Sequence, residues 1–171
     1  MAATTTWYEQ NGSATGSPAH GTESTISSCD WKSVDDSTTS RASAPVLAGS
    51  NSYNKYIYLK FTGTFNQISA VKFAHTAGTL GTGISLKSKI TSTYTTPATT
   101  ALGSATDITS TTAIGSGASV LLSTTGPNGS TSASQTSTCY TQYIVTQVQT
   151  TSAANAGDSG TVTLTVQYNE N

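Results

Sequence analysis

The residues with the clearest chemical potential are Gly157-Asp158-Ser159-Gly160, an order that can present a serine nucleophile. Such a nucleophile needs a histidine base and an orienting carboxylate. The chain has two histidines: His20, in a segment rich in Gly and Pro, and His75, beside the end of an apparent strand. The four residues also stand immediately before a clear strand pattern, where Gly and Asp are ordinary turn formers, and the turn reading is preferred. Asp35 and Asp36 are a carboxylate pair, but neighbours in an extended chain point apart and cannot flank one bond. Gly115-Ser116-Gly117 lacks the rest of a dinucleotide fingerprint, and Gly78, Gly81 and Gly83 lack the lysine of a phosphate loop. No catalytic residue, cofactor site or metal site is expected.

Cys29 and Cys139 are the only cysteines. With two distant histidines they do not make metal-ligand spacing. They can form one disulfide, or stay as two buried thiols if the protein assembles in a reducing cytosol. Asn11-Gly12-Ser13 and Asn128-Gly129-Ser130 fit the glycosylation pattern, but without an export signal they read as turns.

The large aromatics are the other candidates for function. Trp7, Tyr8 and Trp31 lie in a poorly patterned N-terminal segment and must be covered, either by the same subunit or by a neighbour. All three are candidate protein-interface anchors. Tyr56 and Tyr58 share a strand face with Lys60; they either lie half-buried under a loop or stay exposed for stacking.

These residues need elements to hold them. Residues 1–45 mix Gly, Ser, Thr, Pro18 and short acidic pieces, which predicts an N-terminal arm and loop region. Residues 46–171 read as strands separated by turns. In the run Tyr53 to Phe61, Ile57, Leu59 and Phe61 share one face with Lys55, which interrupts its apolar character. A change of phase between Ile68 and Val71 predicts a turn or bulge. Ile84, Leu86 and Ile90 alternate with Lys87 and Lys89, which point outward. Gly126-Pro127-Asn128-Gly129 predicts a turn. Tyr143 and Val145 alternate with Ile144 and Val148, and Val162, Leu164, Val166 and Tyr168 line one face of a closing strand. No stretch supports a normal helix. The expected fold is all-β: an antiparallel β-sandwich, jelly-roll or immunoglobulin-like, with an extended N-terminal arm.

Composition bounds the rest. About a third of the 171 residues are Ser or Thr, only 9% are charged, and the net charge is −1. Hydroxyl groups must therefore supply most of the solvated surface. No Lys/Arg cluster exists to neutralise phosphates, so no nucleic-acid partner is expected. No run approaches the length of a membrane span. The start, Met1 to Trp7, has neither a basic nor an apolar leader region, which predicts synthesis and assembly in a cytosol.

Several segments together resemble virion structural proteins of tailed bacteriophages, of the capsid decoration or cement kind. They are Trp31-Lys32-Ser33, Gly49-Ser50-Asn51-Ser52-Tyr53, Leu59 to Asn66, Val71-Lys72-Phe73, Tyr94-Thr95-Thr96-Pro97 and Val162 to Tyr168. The resemblance implies a non-enzymatic protein assembled in the host cytoplasm and displayed on the virion surface. Its partner would be the major capsid protein, and the subunit would be a homo-oligomer, dimer or trimer. A receptor- or glycan-binding module of a tail fibre is the alternative.

Overall fold

The computed structural model describes residues 2–155 and 160–171. In chain order the strands are β1 Thr4–Thr15, β2 His20–Thr25, β3 Lys55–Thr62, β4 Ile68–Gly78, β5 Ile84–Thr91 and β6 Thr106–Asp107. They continue with β7 Ala118–Ser119, β8 Leu122–Ser123, β9 Ser134–Gln135, β10 Cys139–Thr141, β11 Tyr143–Thr150 and β12 Val162–Glu170. A single 3-10 turn, Ile114–Ser116, is the only helical element among the described residues.

The strands form two antiparallel sheets packed face to face. The first runs β2-β1-β3-β11-β5-β6, with β10 beside β3 and carrying β8. The second runs β12-β4-β7, with β9 also on β4. Ile57, Leu59 and Phe61 of β3 and Ile144 of β11 point into the space between the sheets. There they meet Ile68, Val71 and Phe73 of β4. Phe61 meets Tyr168 of β12 edge to face, with ring centroids 4.8 Å apart. Each large apolar side chain fully buried here contributes about 1.5–3 kcal/mol.

The opposite face of β3 and β11 is also buried. Tyr56, Tyr58, Tyr143 and Val145 pack with Tyr94 from the segment after β5. Tyr94 donates to the Gly12 carbonyl at 2.7 Å, and Tyr143 to Gln10 Oε1 at 2.7 Å. The alternation read from sequence is therefore correct, but the possibility of solvent-exposed Tyr56 and Tyr58 is overturned. They are 4% and 1% exposed.

The extended N-terminal arm is likewise corrected. Residues Thr4 to Gln10 of β1 pair along β3, from Thr4 opposite Thr62 to Gln10 opposite Tyr56, and β2 folds back on β1. The cause is two adjacent aromatic side chains, which an extended strand sends to opposite faces. Trp7 reaches the core between the sheets while Tyr8 packs on the tyrosine face, so pairing covers both. Residues 26–54 do remain largely irregular, as expected of a loop region.

Local irregularities match the sequence where it signalled them. Ala70 adopts a left-handed φ of 51°, and the pairing of β4 with β12 shifts register there, which accounts for the change of phase between Ile68 and Val71. The Gly129 N–H donates to the Gly126 carbonyl at 3.0 Å, closing the expected turn. Asn11-Gly12-Ser13, read as a turn, instead lies within β1. Gly12 has φ +85° there, and the pairing with β2 shifts register between Asn11 and Thr15.

Candidate interaction cleft

Trp7 and Trp31, far apart in sequence, line one cleft of about 360 Å³. Trp7 is set by β1, which packs its indole against the core between the sheets. Trp31 comes from the loop after β2, and its indole Nε1 donates to Thr146 Oγ1 of β11 at 3.0 Å. One wall of the cleft is loop 26–31 and the other is Gly160, Thr161 and the start of β12, Val162 to Leu164. Asp30 and Arg41, both well exposed, pair at 3.4 Å beside it. The cleft thus offers two half-buried indoles, a hydroxyl-rich wall and one exposed ion pair.

A second, polar cavity of about 160 Å³ shares Ile26, Ser27, Ser28 and Asp30 with the first. It is lined by Glu9, Lys32 and Lys55. Lys55 Nζ sits 2.5 Å from Glu9 Oε1 and also donates to the Asp36 carbonyl at 3.1 Å. Lys32 Nζ donates to Asp36 Oδ1 at 3.0 Å and to the Thr39 carbonyl at 2.8 Å. Burial pushes the Glu9 carboxyl above the usual range, offset in part by Lys55 and then Lys32. The Asp36 carboxyl is held well below it by the Thr39 hydroxyl and N–H and by Lys32. Burial pushes Asp35 up, offset in part by the Gly12 N–H that donates to Oδ2 at 2.6 Å. The adjacent carboxylates therefore serve different partners.

Loop 26–44 thus covers the part of the first sheet that carries Glu9 and Lys55. Lys55 occupies an interior-facing position on β3, which is why its sequence interrupts an apolar face. The cost of burying its charge is offset by a carboxylate and a carbonyl at short range.

The structure unites Trp7 and Trp31 and separates Tyr8 from them, so Tyr8 is not part of a common anchor. Its ring stacks on Tyr58 on the opposite face, with centroids 5.3 Å apart and planes 12° apart. Cys29 lines the cleft and Cys139 lies in the core; both are free thiols, so no disulfide joins them. His75 is buried, with its ring nitrogens 2.8 and 2.9 Å from the carbonyls of Ile108 and Ala77, and has no open face for a substrate. His20 is exposed near Pro18. Gly157, Asp158 and Ser159 lie outside the described residues. Sequence reasoning did not single out Glu9, Lys32, Asp30 or Arg41; the one available signal was a lysine on the apolar face of β3. No protein-family model, curated protein or solved structure matches the chain.

Proposed function

We propose that the chain is a virion structural protein of a tailed phage. In this reading it is a decoration or cement subunit that binds the outer surface of the major capsid protein lattice and stabilises the head. One observation carries the reading: Trp7 of β1 and Trp31 of the loop after β2 converge on one open cleft. Aromatic anchors at such clefts dominate interface energetics. Assembly in the host cytoplasm and later exposure outside the cell fit a surface dressed in hydroxyls and nearly free of net charge.

The mechanism is mechanical. A subunit that binds only the assembled lattice shifts the equilibrium toward it by mass action. The anchor is a preorganised cleft instead of a flexible arm, so binding orders fewer groups and loses less affinity to entropy. Deleting the first 25 residues is no test of this, because it removes two paired strands and Trp7 from the core.

The test is Ser28→Arg, an exposed position in the cleft wall. Occupancy on undecorated shells should fall about tenfold or more, the equivalent of about 1.4 kcal/mol or more of lost anchoring. Wild-type occupancy by this variant would remove the cleft from the binding site.

A tail-fibre module that binds glycans is the second reading. What favours it is the same cleft, where indole faces lie beside Asp30, Arg41 and hydroxyls, a mixture suited to sugar stacking and hydrogen bonding. Saccharide binding that is lost in Ser28→Arg, together with a few copies per particle instead of hundreds, would select it.

A further inference from the structure

Strand β12 closes one side of the second sheet and pairs with β4 alone. Among the described residues no backbone-to-backbone hydrogen bond reaches Val162–Glu170 from any segment but β4; the Ala3 N–H reaches only the Glu170 side chain, at 2.8 Å. An open edge of this kind is a template for another strand, and folds blunt such edges with short strands, charges, Pro or bulges. The other edges here are blunted. Strands β6, β7, β8 and β9 have two residues each, and β2 carries Glu23.

The β12 edge has none of these devices. It spans nine residues, and Val162 to Tyr168 contains neither a charge nor a proline. Its two register shifts each place the extra residue on β4: two steps of β12 from Gln167 to Asn169 face three from Lys72 to Ser69, and one step from Thr163 to Leu164 faces two from Ala77 to His75. The bulges therefore leave β12 itself regular. No residue of β12 is fully buried, although Leu164, Val166 and Tyr168 touch the core.

We infer that this edge is a homodimer seam, in which β12 of one copy pairs antiparallel with β12 of a second across a two-fold axis. The strand is complementary to itself. Centred on Thr165, the pairing sets Leu164 opposite Val166, Val162 opposite Tyr168 and Thr163 opposite Gln167 of the second copy. Apolar residues meet apolar residues and polar meet polar, the pairing that stabilises an antiparallel sheet. The lone charge, Glu170, falls at opposite ends in the two copies, so no like charges face each other. Pairing by one edge closes with two copies, as an isologous interface must. The seam does not depend on the capsid reading.

Sedimentation of the full chain tests it. The wild type should run at twice the 17.4 kDa chain mass. T163K/Q167K, which sets lysine opposite lysine at two exposed positions, should halve that mass with an unchanged far-ultraviolet dichroism spectrum. T163E/Q167K, which sets glutamate opposite lysine, should restore the dimer. A monomeric wild type at the highest soluble concentration overturns the seam. So does a folded T163K/Q167K chain that stays dimeric, or a T163E/Q167K chain that stays monomeric. Thr163 also lines the Trp7–Trp31 cleft, so shell binding is read from Ser28→Arg, which leaves β12 unchanged, and the seam from sedimentation alone.

Discussion

Glu9 and Lys55, 46 positions apart, form an ion pair of 2.5 Å in which the carboxylate side chain is 3% exposed and the lysine 1%. The pair ties β1 to β3 at the end of the sheet that the second sheet leaves to loop 26–44. Removing one partner strands a buried charge, whereas removing both leaves an apolar site. Lys55→Met should therefore cost about 3–5 kcal/mol, and Glu9→Leu combined with Lys55→Met should recover most of that loss. Urea unfolding of the two singles and the double measures it. Independent, additive losses would show that the pair does not act as a unit.

The carboxylates set the acid limb of stability. Asp107 is lowered to about 2 by Lys87 Nζ at 2.5 Å, then by the hydroxyl and N–H of Thr109. A lowered folded-state value means stability present above the ordinary carboxylate range and lost as pH falls toward about 2. Asp36 acts in the same direction. Glu9 acts oppositely: its raised value favours the folded state in acid, and that contribution is lost as pH rises through its folded value. Asp107→Asn should flatten the loss of stability between about pH 4 and pH 2, as followed by thermal melts across that window. An unchanged slope would remove Asp107 from the acid response.

Much of this architecture was legible in the sequence, and the failures have physical causes. Strands β3, β11 and β12 carry large apolar residues at alternate positions, so their faces could be assigned directly. Burial of the second face of β3 could not, because its cover comes from Tyr8, Tyr94 and Leu102, remote in sequence. Strand β1 was missed because Thr4, Thr5 and Thr6 give no contrast between faces, and because Glu9, Gln10 and Asn11 look like surface residues. All three are buried, and Glu9 and Gln10 meet Lys55 and Tyr143, long-range partners that no local pattern records. Trp7 and Trp31 were identifiable as residues needing cover, but their shared cleft depends on the loop after β2 crossing back over the sheet.

The tyrosine cluster should dominate the alkaline limb. Burial pushes the phenols of Tyr94 and Tyr143 well above their ordinary value, so the folded state favours their neutral forms. Stability should then fall as pH rises above about 10, where unfolded tyrosines ionise. Tyr143→Phe should cost only about 0.5–1.5 kcal/mol, because Gln10 Oε1 keeps the Gly21 N–H at 3.2 Å. Tyr143→Ala should cost about 3–5 kcal/mol, since it opens a cavity among Tyr56, Tyr58 and Tyr94. Urea midpoints rank the two variants, and equal losses would mean that the hydroxyl, not the ring, is what the site needs.

The backbone at Ala70 is a position where a side chain works against the fold. Its φ of 51° lies in the left-handed region, which disfavours any Cβ and β-branched ones most. The residue is exposed, so substitutions there act through the backbone more than through packing. Ala70→Gly should be neutral or stabilising by up to about 1 kcal/mol, because relief of strain competes with the added freedom of the unfolded chain. Ala70→Val should destabilise by about 1–3 kcal/mol.

The two thiols should be nearly inert in the folded protein. Burial, followed by the nearby Glu9 charge, pushes Cys29 up to about 12, and burial pushes Cys139 up to about 11. Alkylation proceeds through the thiolate, so at pH 8 Cys29 should hold about a thousandfold less of the reactive form than an unperturbed cysteine. Native protein treated with iodoacetamide should gain adducts far more slowly than an unfolded chain does, Cys29 through its small thiolate fraction and Cys139 through its burial. In denaturant it should gain two adducts, with or without prior reduction, because Cys29 and Cys139 are not joined. Adducts that appear in denaturant only after reduction would reveal a bridge. Rapid native labelling at Cys29, which is half-buried in the cleft wall, would instead show that its thiol is not held in the neutral form.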